Sequence, residues 1–389
     1  MRLRAVDTLR DVTSSTKLAR TVAIASLAGA LSIVVLAQGQ PAQTVRFVFT
    51  SDAHYGLRRA SFRTRARVSA HEVNAALVSD VNTLAERLGP VDFLVEGGDV
   101  ANRAEAADEI QPASVSWSQF RSDYIGHLTL RTSSGSKTPV YAVPGNHDAS
   151  NAVGFYKAMK PAIDKTAMVG IYNLMMTPAR RTVATYDYTT GRVLTSRDVG
   201  GVHFVFLTVW PDSVGRAWLT RDLERVSPST PVVVFTHDQP DAQSKHFTNP
   251  NGRHDINAVD RFENLLSDTF ADGGTVDEND TLEQAAWEDF VRLHPNITAY
   301  FHGNSNWNEF YDWQGPHHSI ALHTFRVDSP MKGKYSESDE TKLSFHVAEI
   351  DTRTMTMTVR ERLWNTASWG ASTTVGIAPP AGPMSRVSK

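Results

Sequence analysis

Short apolar runs that end on polar residues recur along this chain. Continuous apolar runs predict buried strands at 44–49, 91–96, 139–143, 202–207, 231–235 and 297–301. Alternating apolar and polar positions predict three further strands, around 319–325, 343–350 and 355–360. A stripe at helical spacing predicts a first helix, formed by Val73, Leu77, Val81, Leu84 and Leu88 and ended by Gly89-Pro90. Further helices are expected near 216–226, 257–266 and 283–293, an alternation that indicates an α/β fold.

Five of the predicted strands end on residues that offer oxygen or nitrogen ligand atoms. In chain order these are Asp52 and His54, Asp99, Asn146 and His147, His237, and His302 with Asn304. Because open α/β sheets gather their reactive groups at the carboxyl ends of the strands, we expect these side chains to lie close together. The chain has no cysteine, so a metal there would be held by histidine, carboxylate, amide and water.

Composition narrows the class of protein. Of the 389 residues, 41% are hydrophobic and 21% are charged, as in ordinary globular proteins. The net charge of −3 gives no basic field, so no nucleic-acid partner is expected. The weakly patterned segment around 150–197 is interpreted as an insertion beside the site, and the tail at 370–389, rich in small and polar residues, is predicted to be disordered.

The first 37 residues have the pattern of a targeting segment. Five basic residues (Arg2, Arg4, Arg10, Lys17 and Arg20) precede an apolar run at 22–37 that ends on small residues. A membrane span needs about 20 apolar residues, so the run predicts a cleaved export signal and a periplasmic or extracellular protein. A retained N-terminal membrane anchor is the alternative.

An arginine-rich segment follows the first pair of candidate ligands. It contains Arg58, Arg59, Arg63, Arg65 and Arg67, and such runs are usually solvated surface. Since Arg58 and Arg59 come shortly after Asp52 and His54, our alternative hypothesis is that these two bind a substrate phosphate.

The order of the strand-end motifs resembles the calcineurin-like metallophosphoesterases. Their pattern is Asp-x-His, Gly-Asp, Gly-Asn-His-Asp/Glu, a lone His and Gly-His-x-His, and the similarity extends from about Val45 to Thr324. The resemblance implies a layered α/β sandwich of two mixed β-sheets flanked by helices, with the domain at 44–363. It also implies hydrolysis of a small phosphate mono- or diester by a metal-bridging hydroxide, with two divalent ions (Mn, Zn, Fe or Mg) as cofactors.

The resemblance also distributes the roles within the site. Asp99 would bridge the two ions. One ion would be held by Asp52, His54 and Asn304, and the other by Asn146, His237 and His302. His147 would be the general acid, and Asp148 would either orient His147 or cap a helix. His317 and His318 are interpreted as surface residues.

Two positions depart from the family pattern. Phe301 replaces the glycine before His302, and Asn304 replaces the second histidine, so the first metal site is altered and either Asn306 or water could fill the position. The alternative to an enzyme is a binding protein that kept the fold with a weakened site. The presence of His147 favours the enzyme.

Overall fold

The computed structural model describes residues 44–102, 111–149, 164–188, 190–242 and 281–380. Its strands are, in chain order, β1 (Thr44–Thr50), β2 (Arg58–Phe62), β3 (Arg65–Ser69), β4 (Phe93–Glu96), β5 (Val140–Ala142), β6 (Leu194–Val199), β7 (Val202–Leu207), β8 (Val232–Phe235), β9 (Ile297–His302), β10 (Glu309–Trp313), β11 (Leu322–Arg326), β12 (Ser344–Asp351), β13 (Thr356–Leu363) and β14 (Ser368–Gly376). Its helices are α1 (Ala70–Leu88), α2 (Ala113–Phe120), α3 (Asn146–Ala149), α4 (Thr166–Met175), α5 (Ser213–Leu223) and α6 (Thr281–Leu293), and a π-helical turn spans Arg121–Gly126.

Two six-stranded mixed sheets account for most of these strands. The first sheet has the order β14-β13-β12-β1-β4-β5, in which β1, β4 and β5 run parallel. The second has the order β10-β11-β9-β8-β7-β6, in which β11, β9, β8 and β7 run parallel. Strands β2 and β3 form a separate hairpin. The parallel strands bring the predicted ligand-bearing ends to one edge of each sheet.

Phenylalanine side chains pack the two sheets face to face. Phe47 of β1 stacks on Phe93 of β4 with ring centroids 5.0 Å apart. Its ring meets Phe235 of β8 and Phe301 of β9 edge-on at 5.5 and 5.3 Å. Edge-to-face and offset contacts at these distances are the favoured arrangements of aromatic rings. The departure at Phe301 therefore serves the core, and the predicted layered fold of two mixed sheets is confirmed.

Helix α1 shows how local sequence defines an element. Ser69 accepts a hydrogen bond from the backbone of Glu72, whose side chain bonds back to Ser69, so a capping box begins the helix. Gly89, at φ 83°, ends it. The predicted stripe faces the core, with Val73, Leu77 and Val81 all buried.

Several expectations change once the strands are placed. The prediction of a disordered tail from residue 370 is wrong for β14, which pairs antiparallel with β13 over Thr356–Gly376 to Leu363–Ser368. Residues 381–389 lie outside the described chain, as does the helix expected near 257–266. Strands β2, β3, β6 and β10 were not expected, because their exposed faces and short lengths give no clear apolar run.

The segment interpreted as an insertion contributes to the core. Ile171 and Met175 of α4 are buried in the main apolar cluster, and the Ala142 amide points at the Met175 sulfur from 3.2 Å. Residues 150–163 of this segment lie outside the described chain.

Within the described residues, no helix combines the length and hydropathy that crossing a membrane requires.

Candidate metal centre

Four of the seven candidate ligand residues lie in strained turns at the strand ends. Asp52, His54, Asp99 and Asn304 have φ of 59°, 43°, 55° and 60°, in the left-handed region that side chains other than glycine rarely adopt. Such strain clusters at functional sites, where the surrounding structure enforces it. Here the amides of Asp52 and His54 donate to the carbonyls of Gly98 and Asp99, each at 2.9 Å, so that the loops after β1 and β4 hold each other.

Asp52, His54 and Asp99 form a compact set of possible ligands. One ligand atom from each lies within 4.8 Å of the other two. The Nε2 atom of His54 is 3.5 Å from Asp52 Oδ1 and 3.8 Å from Asp99 Oδ2, and all three side chains are at most 1% exposed. Burial, with the nearby Lys332 charge, lowers the pKa of His54, which favours the neutral imidazole that a metal needs.

Unpartnered polar atoms mark the same place. Both ring nitrogens of His54 and Oδ1 of Asp52 are buried without a hydrogen-bond partner. Buried polar atoms are almost always paired, so unpartnered atoms of this kind are what a buried ion site would present. Nitrogen and carboxylate oxygen are suitable donors for a divalent ion. The residues therefore fit a first metal ion.

A second group of ligand atoms lies on the other side of Asp99. The Nε2 atom of His237 is 3.4 Å from Asp99 Oδ2 and 3.1 Å from Asn146 Oδ1. The His237 Nδ1 atom lies 2.8 Å from the carbonyl of Gly97, a bond that fixes the ring and turns Nε2 toward the carboxylate. Asp99 thus lies between His54 and His237, where a bridging ligand belongs.

Electrostatics match this arrangement. Burial alone would raise the pKa of Asp99, but His237, His147 and His54 hold it well below its usual range. Burial opposes protonation of His237, yet Asp99 and Asp52 raise its pKa to about 10. A divalent ion bound here would therefore displace a proton, as metal binding to histidine generally does.

His302 and Asn304 lie at the end of β9 in the second sheet, where His302 Nδ1 is 3.0 Å from the Gly303 carbonyl, and ligation by His302 stays a prediction. His302 Nε2 lies 3.0 Å from the Tyr311 hydroxyl, and burial together with Arg326 lowers the pKa of His302 to about 3. Asn304 donates its backbone amide to Asp52 Oδ2 at 2.9 Å. Between them, a Cβ on Gly303 would lie 1.9 Å from Ser51 Oγ, so the turn requires glycine.

The Asn304 contact is made by its backbone, and ligation by its side chain stays a prediction. The Asn306 amide donates to the Asn304 carbonyl at 2.6 Å, while Asn306 Oδ1 is buried without a hydrogen-bond partner. The candidate ligands therefore come from both sheets: the loops after β1, β4 and β5 carry one half, and the ends of β8 and β9 carry the other.

His147 lies at the solvent side of this cluster. Its backbone amide donates to Asp99 Oδ1 at 2.8 Å, its Nε2 is 3.9 Å from Asp99 Oδ2, and its side chain is 13% exposed. Asp148 does not reach for the ring: its carboxylate accepts from the amides of Gly145 and Ala101 at 2.9 and 2.8 Å. Of the two expected roles of Asp148, helix capping fits the bond from Gly145, which directly precedes α3, while the bond from Ala101 joins Asp148 to the loop after β4.

Arg59 departs from its predicted role. Its side chain is 1% exposed, and its guanidinium donates to the carbonyls of Ser61 at 3.1 Å, Pro330 at 3.0 Å and Ser336. A buried guanidinium occupied by backbone carbonyls is not placed to bind substrate, so that part of the prediction is corrected. Arg58 is exposed and donates to the Arg67 carbonyl at 3.2 Å, and its substrate role stays a prediction.

Two other histidines lie on the surface, as interpreted. His317 pairs with Glu288 through Nδ1 at 3.1 Å and is 65% exposed. His318 Nδ1 lies 2.9 Å from the Gln314 side chain. Glu288 lies on helix α6, and Gln314 directly follows strand β10. Both partners are apart from the candidate ligands.

Lys332 is a residue near the site that sequence reasoning missed. Its Nζ lies 3.3 Å from His147 Nε2. Burial lowers the pKa of Lys332, while Asp99 and Asp52 act in the opposite direction. Lys332 follows β11 on an irregular loop with no strand end beside it, so no sequence signal pointed to it.

The sequence model of the calcineurin-like phosphoesterases matches residues 45–328. The chain therefore belongs to this family, whose members depend on a dinuclear centre of divalent metals, and it is a metal-dependent phosphoester hydrolase. No curated protein is detectably similar in sequence.

The chain is similar to three solved structures at low sequence identity. A dimetal phosphatase from Danio rerio shares 11% identity, with 86% of this chain and 99% of that chain covered and a TM-score of 0.48. The calcineurin-like phosphoesterase YfkN from Bacillus subtilis shares 11% identity, with 87% of this chain and 92% of that chain covered and a TM-score of 0.33. A 5′-nucleotidase from Candida albicans shares 8% identity, with 79% of this chain covered and a TM-score of 0.36. Only 47% of that protein is covered, so the chain spans about half of it.

Proposed function

We propose that the chain hydrolyses a small phosphate ester at the cluster centred on Asp99. The observation that supports this is the position of the Asp99 carboxylate, 3.8 Å from His54 and 3.4 Å from His237. In this proposal Asp52 and His54, with Asn304, hold one ion. Asn146, His237 and His302 hold the other, and Asp99 bridges both.

Divalent ions bound at this pair of sites would activate water and stabilise the charge that develops on the transferred phosphoryl group. The chain's own residues would do the rest. Asp99 accepts a hydrogen bond from the His147 amide at 2.8 Å, so the backbone that carries the ring is held beside the candidate ligands. Being partly exposed, His147 can contact a substrate and protonate the departing oxygen.

The direct test is an assay of purified protein on nitrophenyl phosphate and bis-nitrophenyl phosphate, with metal content measured on the same sample. We expect the protein to hydrolyse at least one of the two esters. Chelator should abolish this activity, and manganese or zinc should restore it. A protein that binds metal but hydrolyses neither ester would instead support the alternative of a binding protein with a weakened first site.

The cellular location is a separate proposal. The basic residues and the apolar run before residue 38 support export with cleavage after Ala37. N-terminal sequencing of the protein from a secreting host tests this. A start near Gln38 in the soluble fraction supports cleavage, and an intact N-terminus in the membrane fraction supports the retained anchor.

A further inference from the structure

The Lys332 ammonium lies beside the proposed general acid. Its Nζ is 3.3 Å from His147 Nε2, so an oxygen next to this pair would lie within reach of both nitrogens. Among the described residues, no ion pair joins Lys332 to a carboxylate. Burial lowers the pKa of Lys332, while the attraction of Asp99 and Asp52 acts in the opposite direction. The charge is therefore held near the cluster without being neutralised by a direct partner.

The backbone of Lys332 is fixed to the ligand loops by one serine. Ser329 Oγ donates to the Asp52 carbonyl at 2.9 Å and accepts from the Lys332 amide at 3.0 Å. Next along the loop, the Lys334 amide donates to the Asn306 carbonyl at 2.7 Å. Both contacts tie this loop to segments that carry candidate ligands, so the position of Lys332 is coupled to theirs.

Arg59 holds the same loop from beneath. Its two terminal nitrogens donate to the carbonyls of Pro330 and Ser336, on either side of Lys332. The turn between them is tight, because a Cβ on Gly333 would lie 1.8 Å from Ser336 Oγ. A lysine that only faced solvent would not need a buried arginine such as Arg59 to hold its loop. These contacts hold the backbone that carries Lys332, which lowers the entropy cost of binding an anion there.

The ammonium charge of Lys332 distinguishes between phosphate monoesters and phosphate diesters. A phosphate monoester carries up to two negative charges on three terminal oxygens, whereas a diester carries one charge on two. Coulomb attraction scales with the product of the charges, so the ammonium stabilises the dianion more. A diester also replaces one of the oxygens that could accept a hydrogen bond from Lys332.

We propose that Lys332, beside His147, binds a terminal oxygen of a phosphate monoester dianion and makes the enzyme prefer monoesters. The proposal rests on the function proposed above, because it assigns the substrate class of the same site. Arg59 would act as a positioning residue for the Lys332 loop.

The test compares Lys332→Met with wild type on nitrophenyl phosphate and bis-nitrophenyl phosphate. We expect kcat/KM for the monoester to fall roughly 10- to 100-fold, as for loss of a charged hydrogen bond. The diester should change by less than about threefold, by the same charge argument. Lys332→Arg should recover part of the monoester activity. Equal losses on both esters, or no loss on the monoester, would overturn the proposal.

Lys334→Met is the matched control, because Lys334 lies on the same loop with its Nζ 4.3 Å from the Trp307 ring centroid. It should leave both activities near wild type. Calorimetric binding of inorganic phosphate to the metal-loaded proteins gives a readout independent of turnover. Wild type that hydrolyses neither ester would refute the proposed function, whereas phosphate affinity that is equal in wild type and Lys332→Met would refute the role of Lys332.

Discussion

Asp99 and His147 are joined by a hydrogen bond from the His147 amide to Asp99 Oδ1 at 2.8 Å. The other carboxylate oxygen, Oδ2, faces His237 and His54 at 3.4 and 3.8 Å. One side chain thus contacts the backbone of the proposed acid and faces both candidate metal sites, as expected of the proposed bridging ligand. Substitutions at these two residues should therefore have separable effects.

Asp99→Ala should remove both ions together. One carboxylate faces both candidate sites, and ions that bind only the folded protein stabilise it by mass action. In excess manganese, we expect the variant to have a lower melting temperature than wild type. Chelator should leave the melting temperature of the variant unchanged, because the variant binds no ion. Metal analysis by mass spectrometry checks this, and one ion retained tightly would contradict the bridging role.

His147→Ala should lower turnover by roughly 10²–10⁴-fold, the usual contribution of a general acid. Metal content should stay near wild type, since His147 is not among the proposed ligands. The loss should be smaller for nitrophenyl phosphate than for an alkyl phosphate, because nitrophenolate needs little protonation to leave. Loss of metal in this variant would make His147 a ligand.

Arg59→Met should act through the loop that carries Lys332. We expect its loss of monoester kcat/KM to be non-additive with that of Lys332→Met, as for residues that act through one another. Arg58→Met tests the exposed neighbour in the same strand, whose substrate role stays a prediction. A raised KM in Arg58→Met would support its predicted contact with substrate. Full additivity in the Arg59 double variant would contradict positioning.

Asn304→His should change the metal preference of the first site. Its backbone bond to Asp52 survives the substitution, while an imidazole nitrogen replaces an amide oxygen. Nitrogen donors favour zinc over manganese, so zinc affinity should rise at this site alone. Titration of wild type and variant with both metals measures this. Unchanged affinities would mean that the Asn304 side chain does not ligate.

His203 gives a pH dependence away from the site. Burial opposes its protonation, but Asp222 at 2.8 Å and Asp198 at 2.7 Å raise its pKa. A raised pKa stabilises the fold fully below the unfolded value of about 6.5 and loses this effect as pH rises through the folded value.

His203→Gln should therefore lower the melting temperature by roughly 2–4 °C near pH 6, with a smaller difference at higher pH. Asp198→Asn is the control, because Asp198 is 77% exposed and should contribute less. Thermal unfolding in the presence of chelator, across this pH range, measures both. A difference that grows with pH would contradict the stated role of the two aspartates.

The sequence was informative where a local pattern defines the structure. A strand such as β9 is recognisable because its apolar run and the following His302 are adjacent in sequence. Arg59 was misjudged because its partners lie 271 and 277 residues away, and an arginine has no local signature of burial. Lys332 was missed for the same reason. Strand β14 was missed because serine, threonine and glycine on an exposed edge resemble a disordered tail.

The division of the candidate ligands between the two sheets has a consequence for folding kinetics. Asp52, His54 and Asp99 follow strands of one sheet, and His237 and His302 belong to the other, so neither sheet alone presents the whole set. Ions can bind fully only after the phenylalanine layer has brought the sheets together. Interactions absent from the folding transition state slow unfolding and leave the folding rate nearly unchanged. Metal should therefore lengthen the lifetime of the native enzyme, a form of kinetic stability, more than it speeds its formation.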